Sequence, residues 1–133
     1  RLIKGWAQAG KSVLVSSHIL HEIEAMTSTI LVINNGRILA EGNIHAIRDL
    51  IDEHPHKVRI RVSDPRGLAR ALLSEDDVRS VLFEEGAIVI ETTKPVAFYG
   101  RLTEVAATGA LGEVSEVSSP DDNLQAVFDY LVK

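Results

Sequence analysis

Cysteine is missing from all 133 residues, so the chain can form neither a disulfide nor a thiolate metal site, which fits a reducing compartment. No basic stripe interrupts the net charge of -5, which is spread over both halves, and a nucleic-acid footprint is therefore absent. Uninterrupted apolar runs reach only a handful of residues, far below the roughly 20 that a bilayer span demands. No long apolar core follows charges at the amino end, so no secretory signal is read there. What the chain does have is 45% apolar content, enough for a real core in one domain or two small ones.

The amino end lacks an initiator Met and reads as the tail of a helix, Arg1 to Gln8, with Leu2, Ile3 and Trp6 on one side and Gly10 as its C-cap. A start in mid-domain is the expectation. Lys11 to Ser16 is short, apolar and β-branched, the form of a strand buried on both faces. Ser16 or Ser17 is placed to cap a following helix whose apolar side is Ile19, Leu20, Ile23 and Met26, with Glu22 and Glu24 outward. Ile30 to Ile33, the turn Asn34-Asn35-Gly36-Arg37 and Ile38 to Ala40 predict a hairpin. Asn43 then caps a helix bearing Ile44, Ile47, Leu50 and Ile51.

Glu53-His54-Pro55-His56-Lys57 is polar, contains a helix breaker and separates two differently patterned halves, so the domain boundary is set between residues 53 and 54. Beyond it, Val58 to Val62 alternates apolar and charged residues, a strand with Arg59 and Arg61 on its wet face. Asp64-Pro65 starts a helix with Leu68, Leu72 and Leu73; Val78 to Phe83 and Ala87 to Thr92 are strands; Pro95 opens a helix with Phe98, Leu102 and Val105, closed by Gly109. Val114 to Val117 is a weaker strand, and Ser119-Pro120-Asp121-Asp122 is read as the cap of a last helix with Leu124, Val127, Phe128 and Leu131 inward. The order β-α-β-β-α-β plus a terminal helix is ferredoxin-like.

The run Ser12-Val-Leu-Val-Ser-Ser-His-Ile-Leu-His-Glu-Ile-Glu-Ala, followed by Ile30-Leu-Val-Ile-Asn-Asn-Gly-Arg-Ile-Leu-Ala-Glu-Gly, resembles the end of the nucleotide-binding domain of ABC transporter ATPases. Residues 54–133 resemble the accessory C-terminal domain of ATPases serving ABC-2-type exporters, whose last helix commonly carries a Leu-x-x-x-Phe pattern matched by Leu124 and Phe128. The resemblance implies an α/β fold in which residues 1–53 close a P-loop NTPase (RecA-like) core and residues 54–133 form a small ferredoxin-like α+β domain. It makes His18 the switch histidine, the one site residue for both catalysis and cofactor contact, donating a hydrogen bond to the γ-phosphate of ATP. ATP and Mg²⁺ are the implied cofactors of the parent protein. A transmembrane permease and a second ATP-binding subunit, in a homodimer, are its implied partners, with no nucleic acid. The implied location is cytoplasmic, peripheral at the inner face of the cell membrane.

No phosphate loop G-x-x-x-x-G-K-[ST] occurs, and the family's signature motif, Q-loop and Asp-Glu strand are missing too. The expectation is a carboxyl-terminal fragment, inactive alone, with no cofactor bound and with strand edges through which it self-associates. The bland alternative for His18 is a strand-end histidine on a surface loop. His18, His21 and Glu22 do not fit the zinc-helix pattern, since the histidines are i, i+3 and Ile19 follows the first; no metal ligand is assigned. His45, His54 and His56 read as solvated, and Trp6, Phe98 and Phe128 as packing residues. Ser16, Ser17 and His18 lack the orienting acid of an activated nucleophile. The rival function is a non-enzymatic module in which the ferredoxin-like half dimerises or senses a ligand.

Overall fold

The computed structural model describes residues 2–51 and 54–132. Arg1 at the head of the expected helix tail, and Glu53 of the expected linker, lie outside the described residues. In chain order the elements are α1 (Leu2–Gln8), α2 (Leu20–Met26), β1 (Thr29–Asn34), β2 (Arg37–Asn43), α3 (Ile44–Asp49), β3 (His56–Val62), α4 (Pro65–Leu72), β4 (Val78–Glu84), β5 (Ala87–Thr92), α5 (Pro95–Ala107), β6 (Val114–Ser118) and α6 (Leu124–Val132). The fold is mixed α/β with two antiparallel sheets. It divides into two compact units, Arg1–Ile51 with Asp122–Lys133, and Asp52–Asp121.

The first unit is built on the β1–β2 hairpin. Asn35 and Gly36 both take positive φ, 50° and 72°, the pair of left-handed residues that a two-residue turn needs to match the twist of its strands. Ile30 and Val32 point inward, joined by Ile44 and Ile47 of α3 and by Leu124 and Val127 of α6. Asn43 caps α3 as its residue type predicts, its side-chain oxygen accepting from the His45 N–H at 2.9 Å. α1 ends in the expected glycine cap: Gly10 at φ 81°, the Gly10 N–H on Ala7 O at 3.0 Å and the Lys11 N–H on Trp6 O at 3.1 Å.

Three expectations for this unit are corrected. Lys11 to Ser16 forms no strand, and Leu14 is 95% exposed. A strand needs a ladder partner, and the first sheet contains only β1 and β2. Trp6 is exposed, and α1 buries none of its described residues. The terminal helix, grouped by sequence order with residues 54–133, clusters with the first unit, because its apolar side fills the core under the hairpin.

The second unit is a four-stranded antiparallel sheet in the order β4-β5-β3-β6. Alternation sends Val58, Ile60 and Val62 of β3 and Ile88 and Ile90 of β5 to one face, where Leu68 and Leu72 of α4 and Phe98 and Leu102 of α5 cover them. Asp64 caps α4 by accepting from the Gly67 N–H at 3.0 Å, with Pro65 in the first turn. A side chain on Gly67 would collide with that capping carboxylate, so the glycine makes room for the cap. Here the predicted elements all form. The expected cap at Ser119 does not: Asn123 caps α6, accepting from the Ala126 N–H at 2.9 Å, and Asp121 instead accepts from the Lys57 N–H at 3.1 Å.

Candidate functional site

His18 sits at a bend between the irregular Lys11–Ser17 segment and α2, exposed. The bend is shaped locally. The Ser17 hydroxyl accepts from the Ile19 N–H at 3.0 Å, a turn of the kind serine makes with the backbone two residues on. That occupies Ser17 in the turn, just ahead of α2, whose N-cap position is Ile19 with no side-chain cap. The expected serine cap is thus displaced into the preceding turn.

Beside the bend lies a groove of about 500 Å³ within the first unit, walled by α1, the Val13–Ser17 segment, α2, β1 and α6. Its lining is mostly apolar, with hydroxyls from Ser16, Ser17, Thr27 and Thr29. Neither Ser16 nor Ser17 is hydrogen-bonded to His18 among the described residues. Among the described residues, no group of three or more His, Asp or Glu side chains converges as a metal site.

The remaining sequence candidates separate. His21 is exposed on α2. His54 and His56, read as solvated, are half-buried and each engaged with neighbours. His45, also read as solvated, keeps 61% of its side chain exposed but bonds through Nδ1 to the Asp122 carboxylate at 2.9 Å. That hydrogen bond and the Asp122 charge raise the imidazole pKa, against a small desolvation effect, with Glu24 and Asp49 adding lesser attraction. Arg59 and Arg61 pair within their own sheet, with Glu84 at 2.8 Å and Glu116 at 3.4 Å.

Two groups escaped the sequence reading. Arg48 is fully buried, its guanidinium 4.9 Å from the centre of the Tyr130 ring, which ties α3 to α6. Asp77 is buried in the second unit, where it accepts from Arg101 at 2.6 Å and from the Thr92 hydroxyl at 2.8 Å. Burial pushes the Asp77 carboxyl upward, but the Arg101 and Thr92 hydrogen bonds and the Arg101 charge together outweigh it, and its pKa is lowered. Neither group has a local signal, since each partner is distant in sequence.

The chain is similar in sequence to transport and resistance ATP-binding proteins. The chain is 27% identical over 124 residues to the bacitracin transport ATP-binding protein of Enterococcus faecalis, covering 92% of this chain and 38% of that protein. It is 24% identical over 103 residues to the daunorubicin/doxorubicin resistance ATP-binding protein of Streptomyces peucetius, covering 77% of this chain and 29% of that protein. These similarities support an ABC ATPase relationship. No family model matches the chain. It spans 29% and 38% of the two relatives' lengths, roughly a third. No helix among the described residues is long and apolar enough to cross a membrane.

Proposed function

We propose that this chain is the carboxyl-terminal part of the ATP-hydrolysing subunit of an ABC exporter, acting with a membrane permease. The observation that carries the reading is the joint presence of Ser12–Glu24, with its histidine at an exposed bend, and the Asn35-Gly36 hairpin behind it, in a chain similar to two transport or resistance ATP-binding proteins. On this reading residues 1–53 close a P-loop core. The second unit, up to Asp121, forms the accessory domain, while α6 belongs to the first unit. The order β-α-β-β-α-β and the strand sequence β4-β5-β3-β6 support its ferredoxin-like assignment. A homodimer of ATP-binding subunits, peripheral at the inner face of the membrane, belongs to the same proposal.

His18 is proposed to donate a hydrogen bond to the terminal phosphate. An imidazole suits that place because one nitrogen can donate while the other is held by a neighbour. The residues present do not by themselves fit ATP and Mg²⁺. Phosphate binding needs a backbone cradle and a Lys, and Mg²⁺ is usually held by a carboxylate together with phosphate oxygens, whereas the bend offers one imidazole and two serine hydroxyls, Ser17's being taken up in the turn. The 133-residue chain is therefore proposed to be inactive alone.

Two measurements test the proposal. Calorimetric titration of this chain with ATP and Mg²⁺ should show no micromolar binding; a saturable micromolar isotherm would refute the inactive-fragment reading. In the longer ATPase containing this sequence, His18→Ala should lower turnover on the order of 100-fold, the loss expected for one preorganised donor, while nucleotide affinity stays largely unchanged. Unaltered turnover would remove His18 from the chemistry.

A further inference from the structure

His18 is the middle residue of a turn that its neighbour closes. The Ser17 hydroxyl accepts from the Ile19 N–H at 3.0 Å, so the bond steps over one residue, and that residue is His18. A serine turn of this kind fixes the backbone on both sides of its middle position. Ile19 then leads into α2 at φ -92° and ψ 89°, outside the helical region, with its carbonyl accepting from the Glu22 N–H at 3.2 Å and the Ile23 N–H at 3.4 Å. No side-chain cap holds the start of α2, so the Ser17 hydroxyl is what ties the bend to the helix. The turn also sorts the side chains: Ser17 and Leu20 line the apolar groove, and His18, between them, does not. Because the bond closes within three residues, it is set by the local chain and needs no ladder partner.

We infer that Ser17 is the positioning residue for His18: its hydroxyl, bonded to the Ile19 N–H, holds the His18 backbone so that the imidazole stands clear of the groove before any phosphate arrives. The inference rests on the reading of His18 as donor to the terminal phosphate and adds a residue to it. Ser17 touches no substrate and acts through His18. A donor is most effective when it is already in place, since one that must first be ordered loses part of its interaction to that ordering. Asparagine makes the same turn through its side-chain oxygen, whereas alanine has no acceptor to make it with.

A double-mutant cycle in the longer ATPase containing this sequence tests the inference, read as turnover at saturating ATP. Ser17→Ala should lower turnover roughly 5-fold, the weight of one net hydrogen bond, with nucleotide affinity unchanged. Ser17→Asn should keep most of the parent turnover. In the His18→Ala background Ser17→Ala should lower it no further, because nothing remains for the serine to position. Equal losses in both backgrounds would make Ser17 independent of His18 and overturn the inference, as would full turnover in Ser17→Ala or a loss in Ser17→Asn as large as in Ser17→Ala. Each of those outcomes leaves the reading of His18 standing; full turnover in His18→Ala alone removes that reading, and the inference with it. Hydrogen exchange on the 133-residue chain examines the turn apart from any chemistry. Protection of the Ile19 amide should fall roughly 5-fold in Ser17→Ala with an unchanged far-ultraviolet circular dichroism spectrum, and unaltered protection would also overturn the inference.

Discussion

At the scale of single residues the first unit is closed by a contact that spans most of the chain. His45, at the second position of α3, holds Asp122, just ahead of α6, at 2.9 Å. The imidazole pKa is raised in the folded chain above its ordinary 6.5 by the Asp122 hydrogen bond and charge. A raised pKa in the folded state means that folding takes up protons, so the contribution to stability is full below 6.5 and is lost as pH rises through the higher folded value. Both groups are partly solvated, so the effect is small and weakens with salt. The stability difference between the parent chain and His45→Ala should be largest near about pH 5.5 and shrink by about pH 8.5. Denaturant titrations of both chains across that range check it; a difference independent of pH would exclude protonation of His45 as the cause. His18, by contrast, makes its case through sequence context, because its bend brings it no acidic or cationic partner among the hydrogen bonds described.

Elements held together by buried charge behave differently. Asp77, just before β4, receives Arg101 from α5 and Thr92 from the end of β5, so one carboxylate joins three elements. Asp77 keeps 4% of its side chain exposed and Arg101 24%. Replacing Asp77 by Ala strands the guanidinium and a buried hydroxyl, and should cost roughly 3 kcal/mol, the lower end for a broken buried pair because Arg101 retains some water. Chemical denaturation of the Asp77→Ala chain measures this, and a loss below about 1 kcal/mol would show that Arg101 turns to solvent without penalty. The lowered pKa gives the opposite sign to His45: the stabilisation is present above the unfolded carboxylate value and fades as pH falls through the folded one.

The same elements show what local chemistry makes legible. Asn35-Gly36, Asp64-Pro65, Pro95 and the β3 alternation each specify a turn, a start or a face within a few residues, and each is found where its residue types put it. Val13–Val15 has the residues of a strand but not the neighbour, and strand formation is a property of pairs. Its exposure was therefore beyond any local pattern. The buried Arg48, the His45–Asp122 bond and the Asp77 cluster likewise join positions far apart in sequence, and no spacing rule announces them.

For the molecule as a whole, the decisive feature is that the first unit is discontinuous. Its core draws Ile30, Val32, Ile44 and Ile47 from before the second unit and Leu124 and Val127 from after it. A linear boundary between residues 53 and 54 misses this, because the apolar stripe of α6 shows that it packs but not against what. The second unit has its own core, from Val58 to Leu102, to which α6 contributes no buried residue. Ending the chain after Asp121 would remove two fully buried aliphatic side chains and the half-buried Phe128 and Leu131, a loss of roughly 4–6 kcal/mol in transfer free energy, comparable to the entire stability of a small domain. Hydrogen exchange on the shortened chain should then show β1, β2 and α3 losing protection while β3 and β5 keep theirs. Protection lost equally from β3 and β5 would mean that the two cores fold as one cooperative unit, and protection kept in β1 would mean that the hairpin does not depend on α6.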